Sequence, residues 1–358
     1  MILSPGTYTT HELQSVKFYL VSIAVMCVGI FFCPLMAQDL QADNMLLAQR
    51  SSGGWSKHFK GKAIEYATTL SPETKAELLA EAKKNDANID NGSTAREIRY
   101  LVKIYKTSSN KQYLEAAEKG IRYLLKAQYP NGGWPQYFPD KSSYRAHITF
   151  NDNAMINALH ILQDVALKQH DLEVVNNELL APSRDAISRG IDCILKTQIK
   201  VNGKLTAWCQ QYDHVTLQPA KARAYELPSI SGSESVNIIE FLMDQPAPSQ
   251  EIIRAINAAV DWYKTVKIAG YKVVALPAPG TEKGKDKQLV ADSTSTIWAR
   301  YYEIGTNKPF FCDRDGVVKY SMKEIGYERR NGYAWYGPWA QQLLAKHYPK
   351  WSRLHVKD

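Results

Sequence analysis

A pattern repeated at intervals of about 70 residues is the feature that most constrains the fold of this chain. In each copy, a helical stretch ends in a glutamine, a glycine-containing turn follows, and a tryptophan comes next. The two clearest copies lie at residues 128–134 and 198–208, and a weaker copy lies at residues 49–55. This interval has room for two helices and their connections. The repeat therefore predicts a series of helical hairpins that share one core.

Apolar residues recur at helical spacing between these turns. The clearest sets are Ile98, Leu101, Val102 and Tyr105, and Met155, Ala158, Leu159 and Leu162. Alternating strand patterns are rare, and the best are short ones at residues 272–276 and 316–320. Residues 277–287 are rich in Pro, Gly and Lys and predict an exposed loop. We therefore expect an all-α protein whose hairpins close into an (α/α) toroid, with minor short strands.

The N-terminal segment differs from the rest of the chain. A basic residue, Lys17, precedes an apolar run at residues 18–33, and the small residue Ala37 follows. This pattern predicts a secretory signal peptide over residues 1–37, because the run is shorter than the roughly 20 apolar residues that span a bilayer. An uncleaved anchor is the alternative. We expect a secreted or periplasmic protein with a single domain over residues 38–358, whose three cysteines allow at most one disulfide.

The charge balance indicates an anionic partner. The formal net charge is +8 and the pI is near 9.0, and the predicted signal peptide removes one lysine and one glutamate, so the excess remains. A basic protein of this kind suits nucleic acid, an anionic membrane or an acidic polysaccharide. Because export disfavours nucleic acid, we expect an acidic polysaccharide, with no nucleic acid partner and no membrane association after cleavage.

Two clusters of Asp and Asn lie directly before predicted helices, at residues 88–94 and 149–153, and the second helix is predicted over residues 154–167. In the first cluster, Ser93 or Thr94 would cap the helix that begins near Ala95, and Asp90 would favour its positive end. Capping alone can explain this cluster.

The same clusters offer the carboxylate and amide oxygens that Ca²⁺ prefers. The sequence has no EF-hand loop, so a calcium ion would be held by distant segments. His147 stands alone as a zinc signal, because no His/Cys cluster with ligand spacing accompanies it.

Three arginines lie near aromatic residues in the sequence: Arg223, Arg300 and Arg314. The planar guanidinium group binds carboxylates through paired hydrogen bonds, so these residues are candidates for binding an acidic ligand. A structural salt bridge is the alternative for each of them. It is especially plausible for Arg314, which lies between Asp313 and Asp315.

Taken in order, the segments of this chain resemble the family 10 polysaccharide lyases, which are all-α pectate lyases. The matching segments lie at residues 53–57, 89–92, 132–136, 147–155, 208–211, 222–226, 231–235 and 313–316. Each segment alone is a weak signal, whereas the ordered set is specific and spans nearly the whole predicted mature chain.

The resemblance implies a toroid that acts as a monomer and binds polygalacturonate in a cleft at its rim. It implies Ca²⁺ as the cofactor, bridging the substrate carboxylate to three residues: Asp90, Asn91 and Asp152. The family's Brønsted base is an arginine, which corresponds here to Arg314.

The resemblance also implies substrate-binding residues. Arg300 and Arg223 would meet substrate carboxylates, with Trp208 and Tyr336 as weaker candidates. The alternative for Trp208, as for the other tryptophans of the repeat, is a structural role in clamping the hairpins.

The expected reaction is β-elimination, which removes a weakly acidic proton from C5 beside the uronate carboxylate. Cations on that carboxylate stabilise the negative charge that develops. An arginine base is unusual because arginine is normally protonated. Calcium and Arg300 would lower the pKa of Arg314, whereas Asp313 and Asp315 would raise it. An arginine that acts as the base implies an alkaline optimum.

Two other functions fit parts of the sequence. A glycoside hydrolase would use two carboxylic acids roughly 5–10 Å apart, for which Asp90 and Asp152 are candidates, and would keep its activity in EDTA. A non-catalytic pectin-binding protein would keep the basic cleft without depending on Arg314 for turnover. A terpene-cyclase-like toroid is disfavoured, because the sequence has no Asp-x-Asp-Asp motif.

Overall fold

Helical hairpins make up most of the fold in the computed structural model, which describes residues 38–356. The predicted signal peptide lies outside these residues. The α-helices of the described part are α1 Leu40–Ala48, α2 Pro72–Ala80, α3 Ala95–Ser108, α4 Lys111–Ala127, α5 Ala154–Leu167, α6 Leu180–Thr197, α7 Glu234–Met243, α8 Gln250–Val266, α9 Tyr327–Gly332 and α10 Tyr348–His355. The starts predicted near residues 95 and 154 are confirmed.

The helices pack as two rows. Helices α3 and α4, α5 and α6, and α7 and α8 form successive hairpins. Along the chain, α3 contacts α5 and α5 contacts α7, while α4 contacts α6 and α6 contacts α8. Helix α5 is buried on nearly every side, as expected for a helix with neighbours all around it. The helical prediction is therefore confirmed, and closure of the rows into a ring stays a prediction.

The glutamines of the repeat join each helix end to a helix of the next hairpin. Gln128 follows α4, and its Nε2 donates to the carbonyl of Gly132, at 3.0 Å, and to that of Ala186 in α6, at 2.8 Å. Gln198 does the same after α6, with the carbonyl of Ala255 in α8 at 2.9 Å. Gln49 after α1 likewise reaches α4. Each side chain bridges a carbonyl of its own turn and a carbonyl inside the neighbouring helix, and so fixes the spacing of adjacent hairpins.

The tryptophans of the repeat lie inside the core. Trp55, Trp134 and Trp208 are fully buried. Each indole Nε1 donates at 2.8 Å to a backbone carbonyl of the helix that precedes its turn. Their packing supports the structural alternative, because these rings present no surface on which a ligand could stack.

The strands include a long hairpin, of which the sequence predicted only the stretch at residues 272–276. Strand β8, Ile268–Pro277, pairs antiparallel with β9, Lys285–Ala299. The expectation of only short strands was wrong. The side chains of this hairpin are exposed or half-buried, except for the last three residues of β9, which are buried. Without a buried face, the hairpin shows little alternation of apolar and polar residues. The loop predicted at residues 277–287 contains its turn.

The remaining strands of the described residues have two residues each. They are β1 His58–Phe59, β2 Lys62–Ala63, β3 Ile148–Thr149, β4 Lys200–Val201, β5 Lys204–Leu205, β6 Gln211–Tyr212, β7 Ile230–Ser231, β10 Tyr301–Tyr302, β11 Phe311–Cys312, β12 Val318–Lys319 and β13 Tyr336–Gly337. Strand β12 falls within the strand predicted at residues 316–320.

The three cysteines of the described chain, Cys193, Cys209 and Cys312, are buried free thiols. The fold therefore depends on its packed core, as expected. Among the described helices, none has the length and apolar character needed to cross a membrane.

Candidate active site

The two Asp/Asn clusters come together in the structure. The turn at residues 90–92 precedes α3, the turn at residues 151–153 precedes α5, and the two turns pack against each other. Asn91 and Asp152 both have left-handed backbone conformations, each with φ of 50°. Asn and Asp adopt this conformation more readily than other non-glycine residues. Both turns can therefore bend sharply and present their side chains to a common space.

The predicted cap at the first cluster was wrong. The Thr94 hydroxyl accepts from the backbone N–H of Trp55 at 3.0 Å and donates to the carbonyl of Asn88 at 2.8 Å. The Ser93 hydroxyl donates to the Trp55 carbonyl at 3.2 Å. These hydroxyls fasten the cluster to the first Gly-Trp turn and do not cap α3.

Asp90 is a buried carboxylate with one oxygen unpaired. Its Oδ2 contacts the Lys57 ammonium, whereas its Oδ1 has no hydrogen-bond partner within residues 38–356. Leaving a buried charged oxygen unpaired is unfavourable, so this atom is a ready position for a cation. Lys57 belongs to a segment that carried the family resemblance, but no local pattern in the sequence pairs it with Asp90.

Asp152 lies among several charged groups. Burial raises the pKa of Asp152, and the nearby carboxylates of Glu234 and Asp90 raise it further, whereas Arg300 and Arg223 act to lower it. Like charges this close favour either a proton or a bound cation. Asn151 donates to Asp152 Oδ2 at 2.8 Å, while its own Oδ1 is buried without a partner in the described structure.

Arg300 is held by the buried carboxylate of Glu234, the first residue of α7. Burial is the largest single influence and lowers the pKa of Arg300, but Glu234, Tyr301, Tyr333 and Asp152 together outweigh it, so the net effect is a raised pKa. The same guanidinium nitrogen lies 3.9 Å from Asp152 Oδ1, so Arg300 faces the acidic turns. A cavity of about 400 Å³ opens beside Asp152, Glu234, Arg300 and Trp339. The sequence did not predict the role of Glu234, although its segment carried the resemblance.

Arg223 forms a bidentate pair with the buried carboxylate of Glu226, at 2.8 and 2.5 Å. Burial lowers the pKa of Arg223, but Glu226 outweighs burial and the pKa is raised. Tyr333 connects the two arginines, because its hydroxyl donates to Glu226 at 3.2 Å and its ring lies 4.8 Å from the Arg300 guanidinium carbon.

Arg314 is exposed and lies on a loop next to the Arg223 segment. Gly316 of its loop lies close to the carbonyl of Ala224. The guanidinium group binds Glu328 of α9 at 3.2 and 3.3 Å, and neither neighbouring aspartate holds it.

Two of the residues expected to bind substrate lie elsewhere. Trp208 is fully buried, as described above. Tyr336 is half-buried in β13, where its ring packs 5.3 Å from that of Phe311 and burial raises its pKa to about 12. It lines a separate cavity with residues of β8 and β9, including Lys272 and Thr296. Neither side chain is among those that surround Asp152.

A larger cavity, of about 1060 Å³, lies between α3, α5 and α7. Its main charged groups already have partners: Arg99 binds Asp164 at 2.6 Å, and His170 binds the same carboxylate at 2.9 Å. The cluster around Asp90 and Asp152, which combines unpaired buried oxygens with several cations, is therefore the better candidate for chemistry.

Comparison with known proteins agrees with this choice. A family 10 polysaccharide lyase from Cellvibrio cellulosa, solved as a point mutant in complex with trigalacturonic acid, matches with a TM-score of 0.76 and 34% identity, over 88% of this chain and 92% of that chain. A second structure of a family 10 polysaccharide lyase from the same organism gives a TM-score of 0.73 and 34% identity, over 87% of this chain and 90% of that chain. A comparison with curated proteins gives no match.

These similarities, together with the acidic and basic site, define an enzyme of the polysaccharide lyase class. Residues 49–344 match the model of the family described as pectic acid lyase, and the chain belongs to that family. It is accordingly a pectate lyase, and the alternatives of a glycoside hydrolase and a non-catalytic binding protein are set aside.

Proposed function

We propose that this pectate lyase cleaves α-1,4-polygalacturonate by Ca²⁺-assisted β-elimination and releases 4,5-unsaturated oligogalacturonates. The observation that carries the proposal is the meeting of Asp90 and Asp152 beside Arg300, with a buried carboxylate oxygen left unpaired. A site with both carboxylates and guanidinium groups suits a cation together with an anionic sugar. The complex of a similar lyase with trigalacturonic acid supports the choice of substrate.

The residues present fit a calcium ion. Asp90 and Asp152 supply hard carboxylate oxygens, and the exposed Asn91 can supply an amide oxygen. The Oδ1 atom of Asp90, which is buried without a hydrogen-bond partner among the described residues, can serve as a ligand for the cation. Bound there, Ca²⁺ would contribute electrostatic stabilisation of the charge that develops on the substrate carboxylate.

The protein's own cations would act on the same substrate group. Arg300 is fixed by Glu234 and Arg223 by Glu226, so both guanidinium groups are held in place before substrate arrives. Groups held in advance lose little reorganisation energy when charge develops, which makes them effective in stabilising an enolate-like transition state. Their raised pKa values keep them charged in this role.

We assign the Brønsted base to Arg314, following the family resemblance. Its exposed side chain has one carboxylate partner at over 3 Å, so it is free to move towards a bound sugar. Arg223 is the competing base, because it is among the groups that act most on Asp152. Its tight pair with Glu226 and raised pKa favour binding over proton removal, which is why Arg314 is preferred.

The first test is the absorbance of unsaturated products from polygalacturonate, measured with Ca²⁺ and after addition of excess EDTA. We expect product formation that EDTA abolishes and Ca²⁺ restores. Asp90→Asn should need a higher Ca²⁺ concentration for half-maximal activity. Product formation that is unchanged in EDTA and in Asp90→Asn would refute the calcium role.

The second test compares Arg314→Ala with Arg223→Ala. Loss of the base should lower kcat by about 10²- to 10⁴-fold, whereas loss of a binding arginine should mainly raise KM. The matched control is Arg122→Ala, because Arg122 is an exposed arginine of α4 that pairs with Glu178, and neither residue belongs to the site. The base assignment moves to Arg223 if the large loss of kcat appears there and Arg314→Ala retains turnover.

We also propose that the two rows of helices close into an (α/α) toroid, and that the protein is exported and acts as a monomer. The alternating contacts of α3, α5 and α7, and of α4, α6 and α8, support the toroid. Sedimentation of the purified protein tests the monomer, and N-terminal sequencing of protein recovered outside the cytoplasm tests cleavage near residue 37.

A further inference from the structure

A cluster of two histidines and an aspartate lies at the end of the small sheet formed by β3 and β6. In this sheet, Ile148 pairs with Tyr212, so the next positions place His147 opposite Asp213. His147, Asp213 and His214 each offer one possible ligand atom, and these three atoms lie within 4.8 Å of one another. The sequence showed His147 without a zinc partner, because its neighbours come from a segment more than 60 residues away.

One ring nitrogen of each histidine lacks a partner, although His147 also faces the backbone of Lys221. Nδ1 of His147 and Nδ1 of His214 are both buried and have no hydrogen bond to any described residue. Asp213 uses one carboxylate oxygen, Oδ1, to accept from the backbone N–H groups of Val215 and Thr216 at 3.0 and 2.7 Å. These bonds fix the aspartate side chain and leave its second oxygen available.

Neighbouring residues hold the two histidine segments together. The ring of Tyr129 stacks on that of His214, with centroids 5.0 Å apart. The Tyr129 hydroxyl donates at 2.8 Å to the carbonyl of Ala146, the residue before His147. Asn131 donates to the His214 carbonyl at 2.7 Å. Outer residues that orient ligands in this way are typical of metal sites.

We propose that His147, Asp213 and His214 bind a divalent transition metal ion, with Zn²⁺ the best match, at a site separate from the Asp90 and Asp152 turns. Two imidazoles and a carboxylate favour Zn²⁺ over Ca²⁺, which prefers oxygen ligands. With bonds of roughly 2.0–2.2 Å, two ligands of a tetrahedral Zn²⁺ lie about 3.3 Å apart, so small rotations of the side chains complete the site. All three residues are half-buried, which gives an ion access from solvent.

The ion would have a structural role. Beyond β3, the backbone N–H groups of Phe150 and Asn151 both donate to the Gln210 carbonyl, at 2.8 and 3.0 Å. The cluster therefore lies at one end of a paired segment whose other end leads directly to Asp152. A metal ion that joins the two segments at the far end would restrain their pairing, and hence the turn that carries Asp152.

The test is a calorimetric titration of EDTA-treated, dialysed protein with Zn²⁺, and separately with Ca²⁺. We expect one Zn²⁺ per chain, a higher Tm with Zn²⁺, and no competition for this site from Ca²⁺. His147→Ala and His214→Gln should each weaken Zn²⁺ binding by at least about 100-fold, as expected for the loss of a ligand rather than of an outer residue. The matched control is His58→Gln, because His58 is an exposed histidine in β1 and its loss should leave the affinity unchanged.

Circular dichroism of each variant shows whether it is folded, and the titration is decisive for either folded histidine variant. The proposal is overturned if the wild-type protein binds no stoichiometric Zn²⁺, or if a folded variant binds it as tightly as the wild type. Because the readouts are stoichiometry and Tm, the result is independent of lyase activity and of the calcium proposal.

Discussion

Replacing Glu234 by Gln should both destabilise the fold and impair catalysis, because Glu234 is the buried counter-charge of Arg300. The Glu234 side chain is 2% exposed and that of Arg300 is 11% exposed. Glu234→Gln keeps the size of the side chain but leaves a buried guanidinium without its carboxylate. Removing one partner of such a pair costs about 3–5 kcal/mol. Asp152, 3.9 Å away, can take over part of the interaction, so we expect the lower end of this range, about 3 kcal/mol.

A loss of this size should lower Tm by about 4 °C, since a domain of about 320 residues has an unfolding entropy of about 0.7 kcal/mol/K. Arg300 would also turn towards Asp152 and lose its position in the site, for which we expect a fall in kcat/KM of about 10²-fold. Calorimetry and product absorbance measure the two effects. Glu178→Gln is the matched control, since Glu178 is 57% exposed in its pair with Arg122. Equal changes in the two variants, or a Tm of Glu234→Gln within 1 °C of wild type, would refute the reasoning.

Three further predictions concern the turns, the acidic site and the response to pH. Gly132→Ala should lower Tm sharply, because a Cβ there would lie 1.8 Å from the Arg189 carbonyl oxygen. Gly203 has a similar positive φ but nothing within 4 Å of such a Cβ, so Gly203→Ala should lower the free energy of unfolding by only about 1 kcal/mol. Asp152→Asn should abolish activity but keep or raise Tm in metal-free buffer at neutral pH. The Tm should not fall, because the raised pKa of Asp152 makes its ionised form unfavourable in the folded state. A lower Tm would contradict this prediction. Burial lowers the pKa of His160, so the unfolded chain binds a proton at this residue more readily than the folded protein does, and stability falls as the pH drops below about 6.5. His160→Gln should make this fall less steep in thermal melts between pH 7 and 5. An unchanged slope of Tm against pH would contradict the prediction.

The helical part of the fold was predictable because burial leaves a periodic trace in the sequence. Helix α5 was expected at residues 154–167 and occupies that range, since its apolar residues must recur to fill the space between its neighbours. The hairpin of β8 and β9 left a trace only at residues 272–276, because nearly all of its side chains are exposed or half-buried.

The acidic residues of the site were predictable from local clusters, but their partners were not. Asp90 and Asp152 stood out because Asp and Asn gathered at two equivalent helix starts. Lys57 meets Asp90 from 33 residues away, and Arg300 meets Glu234 from 66 residues away. Pairings over such separations depend on how the hairpins stack, which no local pattern records. For the same reason the histidine cluster stayed hidden until the register of β3 and β6 was known.

The glutamine contacts described above also have a consequence for how the molecule comes apart. Each one ties the end of one helix to a helix further along the chain, from α1 to α4, from α4 to α6 and from α6 to α8. Opening one glutamine contact therefore separates only the two helices that it joins and leaves the other contacts closed. Unfolding should then spread stepwise from the first and last hairpins, as in repeat proteins. Amide hydrogen exchange should accordingly be slowest in α4 and α5, so that Asp152 lies at the start of one of the last segments to open.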